Sequence, residues 1–345
     1  MIVSQWNLVE DINQFDLGES GAKSSIFCDR EALYFDHLHT SPVLYSEDIS
    51  LNSFRLEAEV AFPEPMGFAG FVFDARDSSN YELIYVSPGN DINHGEVQYD
   101  PIMNGSSTWQ IYHGSLYQAP AIIPVGEWVK LTLDVQPNGA LLYIGDLSTP
   151  QLIIRNLKHG RTNGKVGIWG NLPCYVSNFS IKEINTIHIP DDKKMNPTRL
   201  IIDTFITEWM ISKPYLYNEK LQLPNDWLKA DVEENGVLNI NRLYPIEQKD
   251  SAVQVKYIFS LSENLHTKLT MGFSDMIKLW INEEEVYQGQ CLWNPPESDG
   301  RIRADDVVIP VRWRKGMNTI RAEIINHENM FGWGLSLRSG IYKLE

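Results

Sequence analysis

The chain has 345 residues, more than one ordinary domain holds, so two domains are the natural division. With 43% apolar and 21% charged residues it is a folded chain, not a disordered one. Its net charge is -16, with 22 acids to 10 bases in residues 1–190 and 23 to 19 in the remainder, which argues against nucleic acid and anionic membrane surfaces and leaves a neutral ligand easier to accept.

The N-terminal "MIVSQWNLVEDINQFD" has no basic stretch followed by an apolar run. The chain as written therefore reads as cytoplasmic, although one trimmed of a secretion leader would look the same. No run approaches the length of about 18 apolar residues that a membrane helix needs. The three cysteines, Cys28, Cys174 and Cys291, are far apart and form neither a disulfide framework nor a zinc pattern.

In chain order, short alternating runs between turn residues predict an all-β protein. In "FRLEAEVAF" (54–62), Phe54, Leu56, Ala58 and Val60 alternate with Arg55, Glu57 and Glu59. "VKLTLDVQPNGALLYIGD" (129–146) predicts a hairpin, because Asn138-Gly139 supplies the positive φ angles of a tight turn. "LIIRNLKHGRTNGKVGIWG" (152–170) predicts strand, turn, strand. "CYVSNFSIKEI" (174–184) sets Tyr175, Ser177, Phe179 and Ile181 on one face against Val176, Asn178 and Ser180. Residues 187–199 are polar, carry two prolines and read as a linker between a domain at 1–186 and one at 200–345. Beyond it, "AVQVKYIFSL" (252–261), "TKLTMGF" (267–273), "IKLWINEEEVYQG" (277–289) and "DVVIPVRWRKGMNTIRAEIIN" (306–326) are again strand-like, with Lys315-Gly316 as a turn. In "FGWGLSL" (331–337), Trp333, Leu335 and Leu337 oppose Gly334 and Ser336, the mark of a half-buried strand that closes a sandwich. Trp209, Trp227, Trp280 and Trp313 read as core.

The pieces "GFAGFVFDARDSSNYELIYVSP" (67–88), "GEWVKLTLDVQPNGALLYIGD" (126–146), "GKVGIWG" (164–170) and "VSNFSI" (176–181) resemble the concanavalin A-like lectin/glucanase superfamily, in its laminin-G-like and 3-keto-disaccharide hydrolase branch. The resemblance implies two antiparallel sheets face to face, with any sugar across the concave one. "WMISKPY" (209–215), "LTMGFSDMIKLWINEEEVYQG" (269–289), "VRWRKGMNTIRAEIIN" (311–326) and "FGWGLSL" resemble a galactose-binding-like jelly roll. Relatives carry Asn-Gly where this chain has Asn282-Glu283, which suggests a different turn shape there. The expected architecture is two β-sandwich (jelly-roll) domains in tandem.

Glycoside hydrolysis needs two carboxylates. The Glu-x-Asp-x-x-Glu strand motif of lectin-fold glucanases is missing, and the nearest catalytic candidates are Glu82 and Glu96, beside the alternative of a solvated polar face. In "HGEVQYD" (94–100), Glu96, Gln98 and Asp100 share one face of a strand. The segment 85–113 interleaves rings with amides and carboxylates, the combination that stacks on sugars and binds their hydroxyls. Tyr85, Asn90, His94, Gln98, Trp109 and His113 are its ligand candidates, against the alternative that they brace a long loop. His94, His113, Glu96 and Asp100 could also gather a metal, but spacing alone names none; no cofactor is expected, and calcium bracing a loop stays open. In the second domain, "NHENMFGW" (326–333) and "QCLWNPPESDGRIRADD" (290–306) offer Trp293, Asn326, Glu328 and Trp333 as ligand candidates, Trp333 having core as its alternative.

These readings favour a carbohydrate-binding protein without catalysis. Two alternatives stand beside it: a glycoside hydrolase-like enzyme acting on a modified or oxidised glycoside, and a protein-interaction scaffold. The sequence leaves the sugar and the oligomeric state open.

Overall fold

The computed structural model describes residues 3–38, 41–89, 94–145, 148–189, 197–218 and 226–342. It is nearly all β, with one short α-helix, Pro197–Ile202, and one 3-10 turn, Ile12–Gln14, among the described residues. The chain divides into two compact units, Met1–Asp191 and Asp192–Glu345.

The first unit has an eight-stranded and a seven-stranded antiparallel sheet. Phe71 of the seven-stranded sheet meets Phe179 of the eight-stranded one, with ring centroids 6.4 Å apart, which marks the packed faces. The strand Phe54–Ala61 alternates as its sequence requires, burying Phe54, Leu56, Ala58 and Val60. Its outward residues carry a charge lattice: Arg55 bonds Asp134 at 2.7 Å, Lys130 bonds Glu57 at 2.7 Å and Arg30 bonds Glu59 at 2.6 Å. The Asn138-Gly139 hairpin joins Trp128–Gln136 to Gly139–Ile144.

In Cys174–Glu183 the expected alternation changes phase. The pairing with Phe54–Ala61 slips between Ser177 and Ser180, where Asn178 has φ 54°. This bulge puts Val176 in the core as well as Phe179 and Ile181, and leaves Tyr175 on the outer face. There Tyr175 is stacked between Tyr34 and Phe27 at 4.6 and 4.5 Å.

The second unit pairs a seven-stranded sheet with a four-stranded one. Their inner faces supply one core that includes Trp209, Trp313, Trp333, Leu335 and Leu337. The strand Gly334–Arg338 pairs with Val237–Asn239 on one side and Leu265–Ser274 on the other. Lys315-Gly316 connects strands that belong to different sheets, Val307–Trp313 and Gly316–Asn326.

Trp280 is buried as expected, 8% exposed, but on the other side of its strand: Ile277, Leu279 and Ile281 face the sandwich core, so Lys278 and Trp280 point to the outer face. Two other expectations change here. Trp227 is partly exposed, with the Lys256 ammonium 3.8 Å from its ring centre. Asn282-Glu283 also makes the turn that Asn-Gly would make. Both residues have positive φ, 50° and 68°, between Met276–Ile281 and Glu284–Gln290. Asn282 holds the turn by accepting the Thr319 N–H at 2.9 Å.

Candidate functional site

The first unit's candidates lie on adjacent strands of the seven-stranded sheet, Phe68–Asp77, Asn80–Gly89, His94–Tyr99 and Lys165–Asn171. Register places Gln98 opposite Tyr85, Tyr85 opposite Gly70 and Gly70 opposite Trp169. Side chains along such a row share one face. This is the face turned away from the eight-stranded sheet, where Leu44, Val72, Tyr81, Leu83, Tyr85 and Trp169 form a cluster of their own.

The structure therefore brings Tyr85 and Gln98 together and adds Trp169, which alternation in "GKVGIWG" could have singled out. The face is closed, however. Tyr85 is 6% exposed, Trp169 5% and Gln98 0%. The Tyr85 ring is tilted against Trp169 at 5.4 Å and meets Phe68 edge-on at 5.4 Å. Gln98 Nε2 donates to the carbonyls of Tyr99 and Tyr112 at 2.6 and 2.7 Å, which pins the segment after the strand. Asp100 pins it again by accepting from Ser107 Oγ and the Thr108 N–H, both at 2.6 Å. Trp109 and His113 are partly buried within that segment. Asn90 and the His94 side chain lie outside the described residues.

Glu82 and Glu96 do not form a catalytic pair. Glu82 shares the parity of Ile84, whereas Glu96 pairs with Ser87 and shares the parity of Tyr85, so the two carboxylates leave opposite faces of the sheet. Glu82 is 0% exposed. Its oxygens accept from Tyr99 Oη at 2.5 Å and from the His159 N–H at 2.7 Å, and Tyr99 Oη accepts from the Lys158 N–H at 2.8 Å. Burial pushes the Glu82 carboxyl up to about 7, against the lowering effect of these hydrogen bonds. Glu82 is thus a staple holding the 157–159 segment to the sheet.

The second unit's candidates converge on a residue that sequence reasoning passed over, Asp275, which joins Leu265–Ser274 to Met276–Ile281. Its Oδ2 accepts the His327 and Glu328 N–H groups at 2.6 and 2.7 Å, and Oδ1 accepts from Ser274 Oγ at 2.7 Å. Its backbone carbonyl accepts the Cys291 N–H at 2.7 Å. One residue thus gathers both segments, its carboxyl holding the 326–329 loop and its backbone carbonyl the 291–294 segment. The signal in the sequence was an acid inside the apolar run "GFSDMI".

Glu328 Oε1 accepts the Trp293 backbone N–H at 3.0 Å, while Oε2 is buried. Burial and then the neighbouring Asp275 charge raise the Glu328 carboxyl above the usual range, and burial raises Asp275 as well. Asn326 is 0% exposed; its Oδ1 accepts the Asn329 N–H at 3.0 Å and its Nδ2 has no partner among the described residues. His327 Nδ1 lies 2.6 Å from Asp250 Oδ1. Trp293 is 50% exposed and stands edge-on to Phe331, centroids 6.3 Å apart. Trp333 is no ligand contact. It is 0% exposed in the core, and its backbone N–H donates to Asn241 Oδ1 at 2.6 Å.

No family model matches the chain, and no curated protein matches its sequence. Its fold is similar to that of several solved structures at low identity. The carbohydrate-binding module CBM66 from Bacillus subtilis aligns over 49% of this chain and 96% of its own, with 13% identity and a TM-score of 0.36. The exoplasmic/lumenal domain of VIP36, in a form bound to Ca2+ and Man3GlcNAc, aligns over 52% and 88%, with 10% identity and a TM-score of 0.34. The GH43 protein BlXynB from Bacillus licheniformis aligns over 50% and 34%, with 12% identity and a TM-score of 0.32.

Proposed function

We propose that this chain is a carbohydrate-binding protein whose ligand seats on Trp293, at the edge of the second unit formed by residues 291–294 and 326–331. One observation carries the reading: Trp293 presents a half-exposed indole whose backbone is tied to Glu328 and whose ring is braced by Phe331. A fixed aromatic surface stacks on the C–H face of a sugar ring with little entropy left to lose. The Glu328 carboxyl, which accepts the Trp293 backbone N–H, supplies a group of the kind that binds hydroxyls.

Binding fits this edge better than hydrolysis. Asp275 spends Oδ2 on the loop and Oδ1 on Ser274, and Glu328 spends Oε1 on the Trp293 backbone N–H, an arrangement that favours holding the loop over flanking a glycosidic bond. The test is a thermal-shift screen with mono- and oligosaccharides on wild type and Trp293→Ala. A glycan that binds the folded state raises the melting temperature of the wild type, and the shift should be lost in the variant. If no glycan shifts the wild type, or if Trp293→Ala shifts equally, the reading is wrong. Incubating any hit with the protein and assaying for released sugar checks that no turnover accompanies binding.

A further inference from the structure

The outer face of the second unit's seven-stranded sheet carries groups that neither the core nor the Trp293 edge uses. Register places Lys256 opposite Arg321 and Arg321 opposite Trp280. Arg321 is 6% exposed, and its guanidinium lies 4.1 Å from the centre of the Trp280 ring. Its Nη2 reaches Glu283 Oε2 at only 3.4 Å, and that carboxylate is 73% exposed. Among the described residues, Arg321 Nε and Nη1 have no hydrogen-bond partner.

A buried guanidinium with unmet N–H groups is costly, because it has given up water without gaining acceptors. On the same face Glu323 Oε1 accepts from Tyr215 Oη at 2.5 Å, and Gln254 Nε2 donates to Tyr215 Oη at 3.2 Å. Two more cations share the face: the Lys256 ammonium lies over Trp227 and the Lys278 ammonium over Tyr217, at 3.8 and 5.3 Å from the ring centres. Glu323, its cross-strand partner, and Glu285 are acids that act on Lys278. On a chain of net charge -16, a general attraction for anions is excluded, so an anion that binds here must be held locally.

We infer that this face is a second binding site, distinct from the Trp293 edge, which takes a carboxylate-bearing sugar of the uronic acid class with its carboxylate on Arg321. The planar guanidinium matches a carboxylate as a lysine ammonium cannot. The sugar part of the inference rests on the carbohydrate reading above; the carboxylate part does not.

The experiment follows the Arg321 Nε–H resonance by 15N NMR during titration with sodium D-glucuronate, with D-glucose and sodium acetate as parallel arms. Glucuronate should move the resonance saturably, glucose should not, and acetate should bind more weakly. Arg321→Lys, which keeps the charge, should weaken glucuronate binding by about tenfold or more, the scale of losing one charge-assisted hydrogen bond. Trp293→Ala should leave the titration unchanged, which separates failure here from failure at the other edge. A resonance unmoved by glucuronate, or an Arg321→Lys variant that binds it as wild type does, would overturn the site. Acetate binding as tightly as glucuronate would overturn the sugar part.

Discussion

The closed face of the first unit and the open edge of the second are built from the same residue types. Tyr85, Trp169 and Gln98 on one, and Trp293, Phe331 and Glu328 on the other, each combine rings with a polar side chain. In the first unit a long segment folds down over the sheet and is pinned by Gln98 and Asp100, so the rings become interior. In the second unit the loops are drawn together from within by Asp275, which leaves Trp293 outside. What separates a packing ring from a presenting ring is the side from which its loop is anchored, not the composition of the segment.

Mutations at the two places should therefore behave oppositely. The largest effect is expected from Tyr85→Ala, which empties a buried ring site and should cost about 3–5 kcal/mol of stability in denaturant unfolding. A small loss there would mean that the face is open after all.

The next effect is in pH. The Glu82 carboxyl is held at about 7 instead of 4.5, so the folded state favours its neutral form. That contribution is complete below pH 4.5 and is lost as the pH rises through about 7, up to about 3 kcal/mol for this one group. Asp74 and Asp100, raised by burial to about 6, add slopes of the same sign at lower pH. Melting temperature should thus fall from pH 5 to 8, and less steeply in Glu82→Gln. Equal slopes in the two proteins would remove Glu82 from the account.

The smallest stability effect belongs to Trp293→Ala, expected within about 0.5 kcal/mol of wild type because the ring is half exposed. Its glycan affinity should nevertheless fall by about tenfold, measured by calorimetry. A large stability loss without a binding loss would turn Trp293 into a second Tyr85 and erase the contrast.

Much of the fold was legible because its signals are local. The Asn138-Gly139 hairpin and the alternation of Trp333, Leu335 and Leu337 each depend on a few neighbouring residues. The bulge at Asn178 was not legible, since one left-handed residue reverses every side chain after it without leaving a composition mark. Trp280 and Trp209 look alike as residues, but only strand parity against the finished core separates them. At the candidate sites, Tyr85, Gln98, Trp293 and Glu328 could be named from residue chemistry. The opposite facing of Glu82 and Glu96 needed the sheet register, and the hub role of Asp275 needed partners more than 50 residues away in sequence, such as Glu328.

The position of the strand Gly334–Arg338 has a consequence for synthesis. It is paired on both edges, between Val237–Asn239 and Leu265–Ser274, so the four-stranded sheet has no middle until these residues leave the ribosome. The second unit must then wait, its inner apolar surface unfinished, while the first unit has all its strands once Cys174–Glu183 has emerged. A pause in translation before residue 334 would catch a nascent chain with one sandwich complete and the other still needing protection.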